Sequence, residues 1–380
     1  MNLPGVYLGP AMSAKPLGPV LELSSLKARL AGSAAERAAV HAVGRWFEER
    51  GEAARYDGFV AATSPPLNVT LHLLVAALGA LVGALWAPVG LALVALAMSS
   101  AVIELRGGRR VLRRLLPRDT SYNLVVKRPA AARRLGTLVL AAHVDVPRRT
   151  WRMNRRLAAI PLGAAAALAL VLALESVGVG WFWLPGLRLA LAGGLFFGAA
   201  IALFHHTRPA REGVGPGDSG VAAVMEASLA LGERPLQHLD VIFAVVGCQE
   251  AHGGGVRALL REERTRLLPA DTALVFVEDV GVGELIYGVG EAVIDTVSYR
   301  PTLPGIAERV TRQLPWREVG GAVLKGMTGA LQPTRQGYRA MTITGGGPRG
   351  GPVVAGRVRK CAAFLAEVAW VYDADLGEAP

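Results

Sequence analysis

Long stretches without charge alternate along the chain with stretches in which polar and apolar positions interleave. From Leu71 to Ile103 no side chain is charged. A helix built from that segment has no face that water could solvate. The Trp86-Ala87-Pro88 break divides it into two short spans. A second apolar stretch runs from Leu157 to Leu174 and again from Leu187 to Phe204. Its halves are separated by Glu175, Ser176, Trp181, Phe182, Trp183 and Pro185. Each half is close to the ~17 to 25 residues that cross a bilayer. The pattern predicts four transmembrane helices in two hairpins, over residues 66–105 and 157–204. Two buried hairpins in a soluble protein would be the alternative, and the missing solvated faces count against it.

Outside the hairpins the pattern alternates between helix and strand. Residues 22–50 have helical apolar spacing, with Ser33 and Glu36 forming a capping box before Val40, Val43, Trp46 and Phe47. Strands are expected at 124–127, 138–142, 240–247, 273–278, 284–287 and 340–344. Helices are expected at 219–232, 255–265, 305–313 and 354–372. This alternation implies an α/β fold, a mixed and mostly parallel sheet flanked by helices. Residues 1–65 supply its N-terminal helical part, 106–156 its first strands and 205–380 the rest, with the two hairpins as insertions.

Composition supports the membrane reading. Hydrophobic residues make up 52% and charged residues 19% of the chain, and the mean hydropathy is +0.36, a balance rare in a soluble enzyme of this size. The net charge of +11 is concentrated beside the hairpins. Arg106, Arg109, Arg110, Arg113, Arg114 and Arg118 follow the first; Arg148, Arg149, Arg152, Arg155 and Arg156 precede the second; Arg208 and Arg211 follow it. Positive flanks stay inside. The expected location is therefore the inner membrane of the cell, multi-pass, with a cytoplasmic globular domain and the lipid bilayer as partner. Basic charge alone does not indicate nucleic acid, because no aromatic-interleaved basic strand or binding motif accompanies it. A transporter is disfavoured because only Glu175 and Arg188 charge the spans, near their outer ends. Cys248 and Cys361 are too few for a disulfide framework, and the first twenty residues lack the apolar core of a signal peptide. The glycine-rich residues 345–351 lack the Lys-Ser/Thr ending of a phosphate loop and read as a flexible loop.

Candidate chemistry collects where predicted strands end. LVLAA runs into His143-Val144-Asp145, IFAVVG into Cys248-Gln249-Glu250, and ALVFV into Glu278-Asp279. A histidine and several carboxylates at the carboxyl edge of one sheet have the composition of a divalent-metal site, although each alone is more often a structural residue or a helix cap. Ligand sites of open α/β sheets lie at that edge.

Six segments in order resemble the co-catalytic zinc exopeptidases, the family of bacterial leucyl aminopeptidases and glutamate carboxypeptidases. LAGSAAERAAVHAVGRWFEERG is similar to the opening helix, and SYNLVVKRP with GTLVLAAHVDVP to the strand pair ending in Ala-His-x-Asp. GDSGVAAVMEASLAL resembles the Asp-Asn-x-Ser-Gly helix start, and VIFAVVGCQEAHGGG the strand leading to Glu-Glu-x-Gly-x-x-Gly. ALVFVEDVG is similar to the strand ending in a metal-binding Asp, and RQGYRAMTI to the last motif. The resemblance implies one or two zinc ions held by His143, Asp218, Glu250 and Asp279, with Asp145 orienting His143. In that family a Glu serves as general base on a metal-bound water.

The sequence departs from this pattern at three positions. The general-base position is Gln249, whose amide cannot take a proton from water. The last His motif reads Thr328-Gly329-Ala330, and no His follows His252. Counting back from Ser219-Gly220 puts Pro216 at the bridging position, so Asp218 serves only across a two-residue deletion. His252, Glu278 and the pair His205-His206 are the available substitutes. Two readings follow. One is a zinc-aminopeptidase-like hydrolase of peptides or amides at the cytoplasmic membrane face; the other is a catalytically inactive peptidase-fold protein that binds or scaffolds there.

Overall fold

The computed structural model describes residues 23, 26 and 28–378, except 107, 109–110, 150–154, 211–214, 216, 293–294, 314–318 and 348–352, and the side chains of 155–158. Pro216, the arginines at 109, 110, 152 and 211, the side chains of Arg155 and Arg156, and the end of the glycine-rich loop thus lie outside what is described.

A nine-stranded mixed sheet forms the frame. Its centre is four parallel strands, side by side as β4 (Leu239–Val246), β3 (Gly136–His143), β5 (Thr272–Glu278) and β9 (Arg339–Gly345). All eight residues of β3 are buried. A strand covered on both faces needs an unbroken apolar run rather than alternation, and Thr-Leu-Val-Leu-Ala-Ala supplies it. Beyond β4 lie β2 (Asp119–Arg128) and β1 (Ala54–Ala61), each antiparallel to its neighbour. Beyond β9 lie β6 (Leu285–Ala292), β7 (Thr296–Ser298) and β8 (Val319–Lys325). The expected sheet is present. Three of its strands carry no usable period: β1 mixes Arg55, Asp57 and Gly58 along an edge, β8 has two glycines, and β7 spans three residues.

Helices cover the sheet. The first, α1 (Ala34–Glu48), starts at Ser33, whose hydroxyl accepts from the Glu36 N–H at 3.1 Å. The helical stretch expected over 22–50 is not one continuous helix: residue 23 is helical, residues 28–33 are turns and irregular backbone, and the Ser33 cap starts α1 anew. The helices α6 (Asp218–Glu233) and α10 (Ala355–Glu378) pack together against the sheet. Two short helices, α7 (Gly254–Glu262) and α9 (Leu331–Arg335), and α8 (Thr302–Gln313) complete the layers.

The apolar segments form α2 (Pro65–Gly83), α3 (Ala87–Leu105), α4 (Arg155–Ser176) and α5 (Leu184–Thr207), with α2 packed on both α3 and α5. All four are long and apolar enough to cross a membrane. Their packing inverts that of the domain. Small residues such as Ala76, Ala77, Ala80, Ala97 and Ala199 face inward, whereas Leu189, Phe197 and Leu170 are 58%, 70% and 62% exposed. Leu168, Leu172 and Leu195 are also buried there, and small residues let the backbones approach closely. Gly79 and Gly90 do this: a Cβ on Gly90 would lie 2.4 Å from the Gly79 carbonyl oxygen and 2.5 Å from the Gly83 Cα.

Chain direction places both hairpins at one edge. Because β1 and β4 both run antiparallel to β2, Ala61 and Val246 end on the same side. The first hairpin leaves β1 there and returns to the start of β2. The second leaves β3 after His143 and returns to α6.

Gly90→Leu should separate α2 from α3 and cost about 2 kcal/mol or more, the scale of overpacking a filled interior. A fall in the detergent-resistant unfolding midpoint, with the substitution Leu189→Ala as a neutral control, checks this.

Candidate functional site

The strand ends converge as the sequence suggests. His143, at the end of β3, is 1% exposed. Its ring lies parallel to that of Phe276 at 6.1 Å between centroids, and its Nδ1 sits 3.1 Å from Asp145 Oδ1. Asp145 is also a clamp: its two oxygens accept from the backbone N–H groups of Gln249 (3.0 Å) and Glu250 (2.8 Å). The loop after β4 is thus tied to the loop after β3. That loop winds through left-handed backbone at Cys248, His252 and Gly253, and Asp279 after β5 has the same conformation, φ 54°. Non-glycine residues held there cost free energy and concentrate at functional edges.

Glu36, expected only as a helix cap, reaches farther. It is fully buried and accepts from Gly32 N–H (2.8 Å), the Ser121 hydroxyl (2.8 Å) and Cys248 N–H (2.5 Å). Burial, aided by the nearby Asp145 charge, pushes its carboxyl up to about 7.

Asp218 opens α6. The helix passes so close to the strands that a Cβ on Gly217 would lie 1.9 Å from the His143 carbonyl oxygen, and one on Gly220 would lie 2.2 Å from that of Val277. Only Gly-Asp-Ser-Gly lets Asp218 sit between the ends of β3 and β5. There its oxygens meet a partner that sequence reasoning missed. Arg29 Nη2 lies 2.6 and 2.7 Å from Oδ1 and Oδ2, and Asp218 Oδ2 also accepts from Gly215 N–H at 2.6 Å. Both side chains are essentially without solvent exposure, 1% and 0%. The guanidinium is fixed further by the carbonyl oxygens of Val144 (3.0 Å) and Leu26 (3.2 Å). Burial raises the Asp218 carboxyl from its usual range, and Arg29 opposes that shift. No local signal in Leu-Lys-Ala-Arg-Leu marks Arg29; its role depends on a contact 189 positions away.

The remaining positions diverge from a metal pair. Glu278 approaches His143 Nε2, at 4.0 Å. Gln249 has a buried Oε1 without a hydrogen-bond partner among the described residues. Where the last His would belong, Thr328 donates to Glu291 and lies 2.5 Å from Thr342 Oγ1, while Thr328 N–H donates to Glu291 at 2.9 Å. Of the substitutes, His206 bonds Ser64 Oγ at 2.8 Å. It lines a cavity of about 420 Å³ with Ser64, Asp119, Arg148 and Glu250, between the hairpin roots and the domain. Among the described residues, no three His, Cys, Asp or Glu side chains converge on one point as a metal would require.

No family model and no curated protein matches the sequence. Solved structures do. A leucine aminopeptidase precursor from Bacteroides thetaiotaomicron is 11% identical over 97% of this chain and 98% of its own, with a TM-score of 0.53. An aminopeptidase from Aneurinibacillus sp. strain AM-1 is 11% identical over 93% and 92%, at 0.52. A zinc aminopeptidase from Bacillus subtilis is 10% identical over 94% of each chain, also at 0.52. The chain shares the aminopeptidase fold; identity this low shows the fold alone.

Zinc is plausible for that fold, but the residues present do not fit a bridged pair. The oxygens of Asp218 that would span two cations are bound to Arg29. An arginine does not deprotonate to make way.

Burial works against a charge on His143, but the Asp145 hydrogen bond and charge, with Glu250 and Glu278, raise it to about 9. Raised above its ordinary value near 6.5, it contributes stability that is fully present below about pH 6.5 and lost as pH rises through 9. The loss is at most roughly 3 kcal/mol. Intrinsic-fluorescence melts across that window should show the decline, and His143→Gln should flatten it.

Proposed function

We propose that this chain is a membrane-anchored protein of aminopeptidase fold that binds a peptide or amide ligand at the inner face of the membrane without hydrolysing it. The observation that carries this reading is the buried Arg29–Asp218 pair. An arginine supplies, as a fixed part of the chain, the positive charge that a metal would bring to the bridging carboxylate, and it offers no open position at which water could be activated. Gln249 agrees with it, since an amide there cannot act as a base. The 420 Å³ cavity edged by Glu250, Asp119 and Arg148 offers both charges needed to hold the ends of a short peptide. Four apolar helices and their arginine flanks favour the bilayer as anchor, with the domain on the cytoplasmic side.

Elemental analysis of the protein purified in detergent should find well under one zinc per chain, with no release of nitroaniline from leucyl-p-nitroanilide. Stoichiometric zinc would overturn the reading. Arg29→Met should destabilise by about 3 to 5 kcal/mol by leaving Asp218 buried and uncompensated. Arg29→Met combined with Asp218→Leu should recover most of that loss.

A further inference from the structure

At the roots of the hairpins a cavity of about 90 Å³ opens between α2, α3 and α4. Its walls are apolar, among them Leu73, Met98 and Leu162, and its polar end is Asn68, His72 and Glu104, with His252 contributed by the domain. Asn68 and Glu104 are 4% and 6% exposed.

Hydrogen bonding at that end leaves acceptors over. Asn68 Nδ2 donates to Glu104 Oε2 at 2.9 Å; turning the amide round would set two acceptors against each other. His72 Nδ1 faces the Asn68 carbonyl oxygen at 2.7 Å, and since a carbonyl only accepts, Nδ1 carries the hydrogen. His72 Nε2 lies 2.9 Å from Ser100 Oγ, which already accepts from Leu112 N–H at 3.2 Å. A hydroxyl both donates and accepts, so Ser100 Oγ serves as partner to Nε2, and both ring nitrogens are engaged. Glu104 Oε1, 3.8 Å from His72 Nε2, receives no donor, and neither does Asn68 Oδ1. A buried carboxylate oxygen and a buried amide oxygen without donors are costly. Both side chains line the same apolar cavity.

We propose that this cavity binds the ammonium head of a single-chain alkyl amine drawn from the bilayer. An ammonium carries one positive charge and donors on one nitrogen, which suits the charge of the Glu104 carboxylate and the two orphaned oxygens, Glu104 Oε1 and Asn68 Oδ1. The volume suits such a head with a few methylenes. An aminophospholipid is a poorer match: among the described residues the lining has no Lys or Arg, so a phosphate a few bonds from the ammonium finds no cationic partner among them. The bilayer source rests on the membrane anchoring proposed above, whereas the amine chemistry rests on the cavity.

Native mass spectrometry of the full chain in detergent, with dodecylamine as probe, tests it. One dodecylamine per chain is expected, with dodecanol and dodecanoate bound at least tenfold more weakly. Glu104→Gln should lose at least tenfold, and so should Ala101→Trp, which fills the apolar wall. Should Ala101→Trp fail to fold, Glu104→Gln decides. Equal binding of the three probes, unchanged binding by Glu104→Gln, or displacement of dodecylamine by phosphatidylethanolamine at equal concentration would overturn the proposal. Vesicle flotation is read separately: failure to float with amine binding intact overturns the membrane anchoring and leaves the amine site standing.

Discussion

Four parallel strands must all end at the same edge, and the arrangement of this molecule follows from that constraint. Parallel neighbours deliver their carboxyl ends together, so His143, Gln249-Glu250 and Glu278-Asp279 arrive side by side although more than a hundred residues separate the first from the last. Both apolar hairpins are inserted in connections at that edge. A cleft there cannot lie far from whatever surface the hairpins occupy. The cavity lined by Ser64, His206 and Glu250 joins hairpin roots to strand ends directly.

Buried charge ties the edge together. Placing a carboxylate and a guanidinium out of water is expensive, and the cost is offset only when geometry and additional hydrogen bonds are good. Arg29 meets that condition through three carbonyl oxygens, those of Leu23, Leu26 and Val144, as well as Asp218. Glu36 and Asp145 do the equivalent for the loop after β4, between them accepting three of its backbone N–H groups. Arg113 is a further case. It belongs to the basic flank of the first hairpin, yet it is 2% exposed and donates to the carbonyl oxygens of Ala62 (2.6 Å) and Ala251 (2.7 Å). One arginine thus stitches the hairpin root to the loop that carries Glu250. Part of the chain's positive charge is internal structure and not surface.

Much of this was legible in the sequence because it depends on local pattern. Runs without charge marked the four apolar helices, and unbroken apolar segments marked β3, β4 and β5, since a strand covered on both faces admits little else. The Ser33–Glu36 pair marked the start of α1. The strand ends also exposed the candidate site, for a polar residue immediately after a buried strand stands out against it. Edge strands were the failures. With one side in water, β1 and β8 are free to carry Arg, Asp and Gly, and their pattern dissolves.

The sequence by itself determined that His143, Asp145, Gln249, Glu250 and Asp279 follow apolar strands, that Gln249 stands at the expected base position and that Thr328-Gly329-Ala330 lacks the expected His, because residue identity and local period are properties of the chain. Tertiary structure alone decided which groups meet. Arg29 reaches Asp218 only because its segment is bonded to the loop after β3 through Val144 and Val146, and Asn68, His72 and Glu104 share a cavity only because α2 and α3 fold back on a glycine contact. Such pairings depend on distances between segments far apart in sequence, and no local window contains them.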